Sequence, residues 1–116
     1  MLFIEYPKCT TCQKAKKFLT ENNVNFTARH IKEDNPSYDE LKSWYEKSGL
    51  PLKRFFNTSG LLYKSMDLKN KLPQMSEDEQ LKLLSTDGML VKRPILITET
   101  KILVGFRENE WLDAVK

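Results

Sequence analysis

Cysteine and histidine are scarce in this chain. Its 116 residues hold two cysteines and one histidine, too few for the roughly four ligands that a structural zinc site takes. Both cysteines, Cys9 and Cys12, lie near the N-terminus with no partner elsewhere, which excludes the disulfide framework of a small secreted domain. Long apolar runs are missing too: nothing approaches the roughly 18 residues that cross a bilayer. The opening MLFIEYPK has too short an apolar run for a secretory signal and no small-residue cleavage site, so no such signal is expected. Strong charge of one sign is also lacking. Nineteen Lys and Arg against sixteen Asp and Glu leave +3, short of a concentrated basic face, so direct binding of DNA or RNA is not expected. These absences predict a cytosolic protein, where thiols are kept reduced and a cysteine pair serves catalysis or metal binding more often than structure.

What is present suffices for one core. With 40% hydrophobic and 30% charged residues, the chain escapes the composition of disorder, and its length suits one domain over residues 1–116. Leu2 to Tyr6 is a short apolar run closed by Pro7, which reads as a buried strand. From Thr10 the period changes: Ala15, Phe18 and Leu19 share one face and Lys14, Lys16 and Lys17 another, a helix that stops at Asn22-Asn23. Asn25 to Ile31 alternates like a strand, completing a right-handed βαβ unit.

Ser37, with Glu40 three residues on, marks a capping box opening a helix that runs to Gly49. Residues 50–65 read as turns and short helices. Ser76 and the acids Glu77, Asp78 and Glu79 open another helix, which ends at Asp87-Gly88. Pro94 to Thr98 and Lys101 to Phe106 read as antiparallel strands around a Glu99-Thr100 turn, and Glu108 to Lys116 as a last helix. The order predicts an α/β, thioredoxin-like fold: a four-stranded mixed sheet with a helical insert over about 37–88.

A Cys-x-x-Cys where a strand gives way to a helix has a physical logic. Unpaired amides and the positive dipole end of the helix lower the pKa of the first thiol, making Cys9 the candidate nucleophile. Cys12, one turn on, is near enough to form a disulfide with Cys9 and so to resolve an adduct. A metal site and two inert core thiols are the competing readings. In a thioredoxin-like fold the proline opening the third strand is cis and faces the dithiol, so Arg93-Pro94 is expected to be cis. Lys8 is a further candidate for favouring the thiolate, and Thr10 and Thr11 sit where a hydroxyl caps the helix, the expected role, or contacts an oxyanion. His30, Trp44, Tyr45, Phe55, Phe56 and Trp111 read as structural residues, and the KAKK run from Lys14 to Lys17 as a solvated helix face.

Four blocks, YPKCTTCQKAKKFL, FFNTSGLLYKSMDLKNKL, LLSTDGMLVKRPIL and VGFRENEW, together resemble the arsenate reductase (ArsC) and Spx/MgsR family over essentially the whole chain. The resemblance implies that Cys9 is the catalytic cysteine and that Arg93 and Arg107 bind substrate. Asn57 stands where the family's remaining oxyanion-binding arginine would fall, with Lys53 and Arg54 nearby but not at the matching position. Glu5 stands four residues before Cys9, where the reductases have histidine, and a carboxylate there is expected to raise the Cys9 pKa. The substrate implied is a small oxyanion or a disulfide, with Cys12 as resolving thiol. Glutathione, glutaredoxin or thioredoxin would be the reductant, with no bound cofactor and no metal. Cys12 also matches the dithiol of the Spx and MgsR regulators, which implies the alternative of a redox-sensing regulator that binds RNA polymerase.

Overall fold

The computed structural model describes residues 1–116. Strands β1 (Leu2–Glu5), β2 (Thr27–His30), β3 (Ile95–Ile97) and β4 (Ile102–Val104) form one sheet in the order β2-β1-β3-β4. β1 runs parallel to β2 and antiparallel to β3, and β3 is antiparallel to β4. The sheet is therefore mixed, as the element order predicts. Helix α1 (Thr10–Glu21) makes the β1-to-β2 crossover, α2 (Tyr38–Ser48) to α5 (Glu77–Thr86) lie within the insert, and α6 (Glu108–Val115) closes the chain.

Alternation along the strands sends side chains to two cores. Phe3 and Leu96, opposite one another in the register, face α1 and α6 and pack with Ala15, Phe18, Leu19 and Trp111. Ile4, Ile95 and Val104 face the other way, into a larger core with Leu41 and Trp44 of α2 and Leu81 and Leu84 of α5. Burying a large apolar side chain contributes about 1.5–3 kcal/mol, so the two layers hold the sheet from both sides.

The second strand is shorter than its alternating sequence suggests. β2 is an edge strand whose ladder matches the four residues of β1, and Asn25, Phe26 and Ile31 fall outside it. In the insert, the Ser37 hydroxyl accepts the Glu40 N–H at 3.2 Å while the Glu40 carboxylate accepts the Ser37 N–H at 3.0 Å. Gly49, at φ +68°, ends that helix in the left-handed region, where a residue without Cβ is unstrained. Ser76 and Glu79 repeat the box on α5. Residues 50–65 hold a 3-10 turn at Leu52–Phe55 and helix α3 (Leu61–Ser65); helix α4 (Leu68–Lys71) follows, too short to announce itself by periodicity.

One connection sets the position of the site. A bridge pairs Phe56 with Val91, the Asn57 N–H donates to the Leu90 carbonyl at 2.8 Å, and the Lys92 N–H donates to the Phe55 carbonyl at 2.8 Å. Residues 55–57 are thereby tied to the segment entering β3. The Arg93-Pro94 peptide bond that follows is cis.

Candidate active site

Pro7 follows the end of β1, and the chain turns at once: the Cys9 N–H donates to the Tyr6 carbonyl at 2.9 Å. Cys9 then occupies the N-cap of α1 with extended backbone, φ −80° and ψ 125°. Neither Thr10 nor Thr11 caps the helix, contrary to expectation, because the cap position belongs to the cysteine. No side chain caps α1 and no acid lies in its first turn, whereas α2 and α5 carry both a cap and acids there. The positive end of α1 is thus left for another negative charge.

Cys9 is half-buried, Cys12 is buried, and both are free thiols. Burial opposes ionisation of Cys9, but the backbone amides of Cys12 and Thr11, the Cys12 thiol and the Arg93 guanidinium together outweigh it, and its pKa is lowered. Cys12 goes the other way. Burial, with the adjoining Cys9, pushes its thiol up to about 12 against a hydrogen bond from the Tyr6 N–H at 3.5 Å. One thiol is poised to ionise while its neighbour holds its proton.

Glu5 does not act on Cys9 as its sequence position suggests. Its buried carboxylate accepts a hydrogen bond from Lys16 Nζ at 3.0 Å, so its charge is matched beneath α1. Lys16 is correspondingly more than a solvated residue of the KAKK run, whose Lys14 and Lys17 are exposed. His30 packs edge-on against Tyr6 at 5.7 Å between ring centroids, and its Nδ1 accepts the N–H groups of Lys32 and Glu33.

Beside Cys9 opens a cavity of about 420 Å³. Its walls bring together Cys9, Arg93, Arg107 and Asn57, four of the residues singled out in the sequence. Pro94 and Cys12 are not in the lining. Two further cations do reach it, Arg54 and Lys92, and no Asp or Glu does. Lys53 faces a different cavity in the insert. Arg93 Nη1 is buried without a hydrogen-bond partner, an unusual state for a guanidinium. Arg107 is only loosely engaged, 3.7 Å from Glu110 with both side chains more than half exposed, a pair too weak to immobilise it. Asn57 is folded over its own loop: its Oδ1 accepts the Ser59 hydroxyl at 3.4 Å, and a Cβ on Gly60 would lie 2.6 Å from its Nδ2. Gly105, at φ +78°, completes the opposite wall, and its carbonyl accepts Trp111 Nε1 at 3.0 Å.

Arg54, noted beside Asn57 in the sequence, does reach the cavity, whereas Lys92 escaped the sequence reading because its approach depends on the pairing of residues 55–57 with 90–92. The paired dipeptides Lys53-Arg54 and Lys92-Arg93 were the available signal.

The ArsC family model matches residues 4–114. This chain belongs to the ArsC family. It is 55% identical to the uncharacterized protein YusI of Bacillus subtilis over 96% of this chain and 94% of that one. A crystal structure of a possible arsenate reductase from Streptococcus mutans superposes with a TM-score of 0.88 at 48% identity, covering 97% of this chain and 96% of that one. The regulatory protein MgsR of Bacillus subtilis is 29% identical over 100% of this chain and 90% of its own length. ArsC-family membership and the thioredoxin-like fold agree with the resemblance seen in the four sequence blocks. No helix is long and apolar enough to cross a membrane.

Proposed function

We propose that this ArsC-family protein is a thiol-dependent oxidoreductase with Cys9 as nucleophile and Cys12 as resolving thiol. The observation that carries the reading is the opposed tuning of the two thiols beside a cavity whose charged side chains are all cations. An anionic substrate, oxyanion or disulfide, enters between Arg93 and Arg107, with Asn57, Arg54 and Lys92 along the wall. The Cys9 thiolate attacks the electrophilic atom. With a disulfide, one sulfur leaves as thiolate and the other stays on Cys9 as a mixed disulfide. Cys12 then gives up its proton and attacks the Cys9 sulfur, expelling the bound group with two electrons and leaving a Cys9-Cys12 disulfide. With arsenate, the Cys9 thiolate displaces one arsenate oxygen, which takes up protons and leaves as water, and the Cys12 attack on the Cys9 sulfur then releases arsenite with the two electrons. A thiol reductant, two glutathiones with glutaredoxin or the dithiol of thioredoxin, returns the two electrons. The chemistry asks for no metal and no prosthetic group.

Coupled NADPH oxidation with each reductant, for wild type, Cys9→Ser and Cys12→Ser, tests this. Turnover that vanishes in Cys9→Ser, and a Cys9 adduct that accumulates in Cys12→Ser and is seen by mass, are the expected results. No turnover, together with no Cys9-Cys12 disulfide under mild oxidant, overturns it.

A second reading is favoured by the Cys-x-x-Cys and by the likeness to MgsR along the whole chain: a redox-sensing regulator that binds RNA polymerase. Retention of polymerase that depends on the dithiol state, without turnover, would select it.

A further inference from the structure

Tyr6 touches both thiols and Arg93, although nothing in the chemistry above uses its ring. Its carbonyl accepts the Cys9 N–H at 2.9 Å, and its own N–H donates to Cys12 Sγ at 3.5 Å. Its ring lies 5.1 Å from the Arg93 guanidinium carbon, within the distance at which an aromatic face attracts a cation. Behind it stands His30, edge-on at 5.7 Å, which together with the insert core against which Tyr6 packs limits the freedom of the ring.

The state of Arg93 gives this contact its weight. Its Nη1 is buried and makes no hydrogen bond, and the guanidinium takes part in none of the protein's ion pairs. A long side chain with no carboxylate to hold it loses rotamer freedom when fixed beside a thiol. The Tyr6 face is a contact that restrains it without consuming a donor, which leaves the N–H groups for Cys9 and an anion.

We propose that Tyr6 is a positioning residue of the dithiol site, its ring holding the Arg93 guanidinium against Cys9 so that Arg93 serves the thiolate and the bound anion. The proposal rests on the thiolate reading of Cys9. It is specific to the ring, since the backbone contacts of residue 6 to Cys9 and Cys12 survive any substitution that folds.

The test is the pH dependence of Cys9 alkylation by iodoacetamide in the Cys12→Ser background, for Tyr6, Tyr6→Phe and Tyr6→Leu, each with Arg93 and with Arg93→Met. Tyr6→Phe keeps the aromatic face and should retain the parent profile. Tyr6→Leu keeps apolar bulk without the face, and should shift the midpoint upward and slow alkylation at neutral pH by about threefold to tenfold, the span of a partly desolvated cation–π contact. In the Arg93→Met background, Tyr6→Leu should add nothing, the non-additivity expected of two groups acting through one contact. Should Tyr6→Leu not fold, Tyr6→Met, flexible and ringless, takes its place. A Leu or Met variant with the parent profile overturns the proposal, as does an equal shift in the Arg93→Met background. A parent whose Cys9 titrates as an ordinary thiol overturns the thiolate reading and this proposal with it, so the two failures are distinguishable.

Discussion

Glu5, on the last position of β1, accepts a hydrogen bond from Lys16 Nζ at 3.0 Å, and this pair ties the strand to α1, the helix whose N-cap is Cys9 and which contains Cys12. The carboxylate is 5% exposed as a residue, while the lysine side chain is 49% exposed. Such asymmetry decides which partner is indispensable. Lys16→Met leaves a buried charge unmatched and should cost about 2 kcal/mol, less than the roughly 3–5 kcal/mol of a fully buried pair because water still reaches the lysine side. Glu5→Gln, which leaves only a solvated ammonium, should cost less. Urea unfolding of the two variants near neutral pH measures the difference.

The two thiols should report their environments separately. Cys9, with its pKa lowered by amides and Arg93 against the opposition of burial, should be alkylated at neutral pH faster than a free thiol titrating near 8.5 would allow by thiolate fraction. Cys12, pushed up to about 12 by burial, should stay unlabelled in the folded protein under the same conditions. Peptide mass mapping after a short pulse of iodoacetamide distinguishes them, and labelling of Cys12 ahead of Cys9 would contradict the assignment.

Arg29 anchors β2 to α2 through two bonds to the Glu40 carboxylate, at 2.6 and 2.9 Å. That contact, first among its causes, holds the Glu40 carboxyl down to about 2, below the usual value of about 4.3. A depressed folded pKa gives stability that is fully present above the unfolded value and is lost as pH falls through the folded one. The Glu40 side chain is 36% exposed, so solvent screening brings the contribution to about 1 kcal/mol. The melting-temperature gap between wild type and Glu40→Gln should therefore close as pH falls from about 4.5 to about 2.

Gly88, where the insert rejoins the fold, is pressed against the backbone of Ile31. A Cβ there would lie 1.7 Å from the Ile31 carbonyl oxygen. Backbone cannot step aside as a side chain does, so Gly88→Ala should cost about 3 kcal/mol or more. Gly49→Ala meets no atom within 4 Å and suffers only from its φ of +68°, a cost of about 1 kcal/mol. Thermal denaturation of the pair should rank them in that order.

The legible parts of this protein were those encoded locally. Helix α1 and the Cys9-Cys12 spacing follow from adjacent residues and one change of period, and the strands around Arg93-Pro94 from short apolar runs. Arg107 and Asn57 were found by resemblance and do reach the cavity. What local pattern could not supply was pairing at a distance. Arg54 and Lys92 meet Cys9 because Phe56 pairs with Val91, residues that no periodicity relates. Glu5 was misjudged because its partner stands eleven residues away on a different element. Thr10 and Thr11 were misassigned because hydroxyls are favoured caps, and only coordinates reveal that the cysteine itself holds that position.

The insert supplies one wall of the cavity and the sheet with its helix supplies the other. Arg54 belongs to the 3-10 turn of the insert and Asn57, Ser59 and Gly60 to the loop that leads into α3, whereas Cys9 and Cys12 are set by the β1-α1 junction. Selectivity and reactivity are therefore written on separate stretches of chain. Exchange of Arg54, Asn57 and Ser59 for side chains of different charge, with the buried Phe55 and Phe56 kept, would retune which molecules are admitted while leaving Cys9 and Cys12 in place, the kind of division by which one scaffold is redeployed for new substrates.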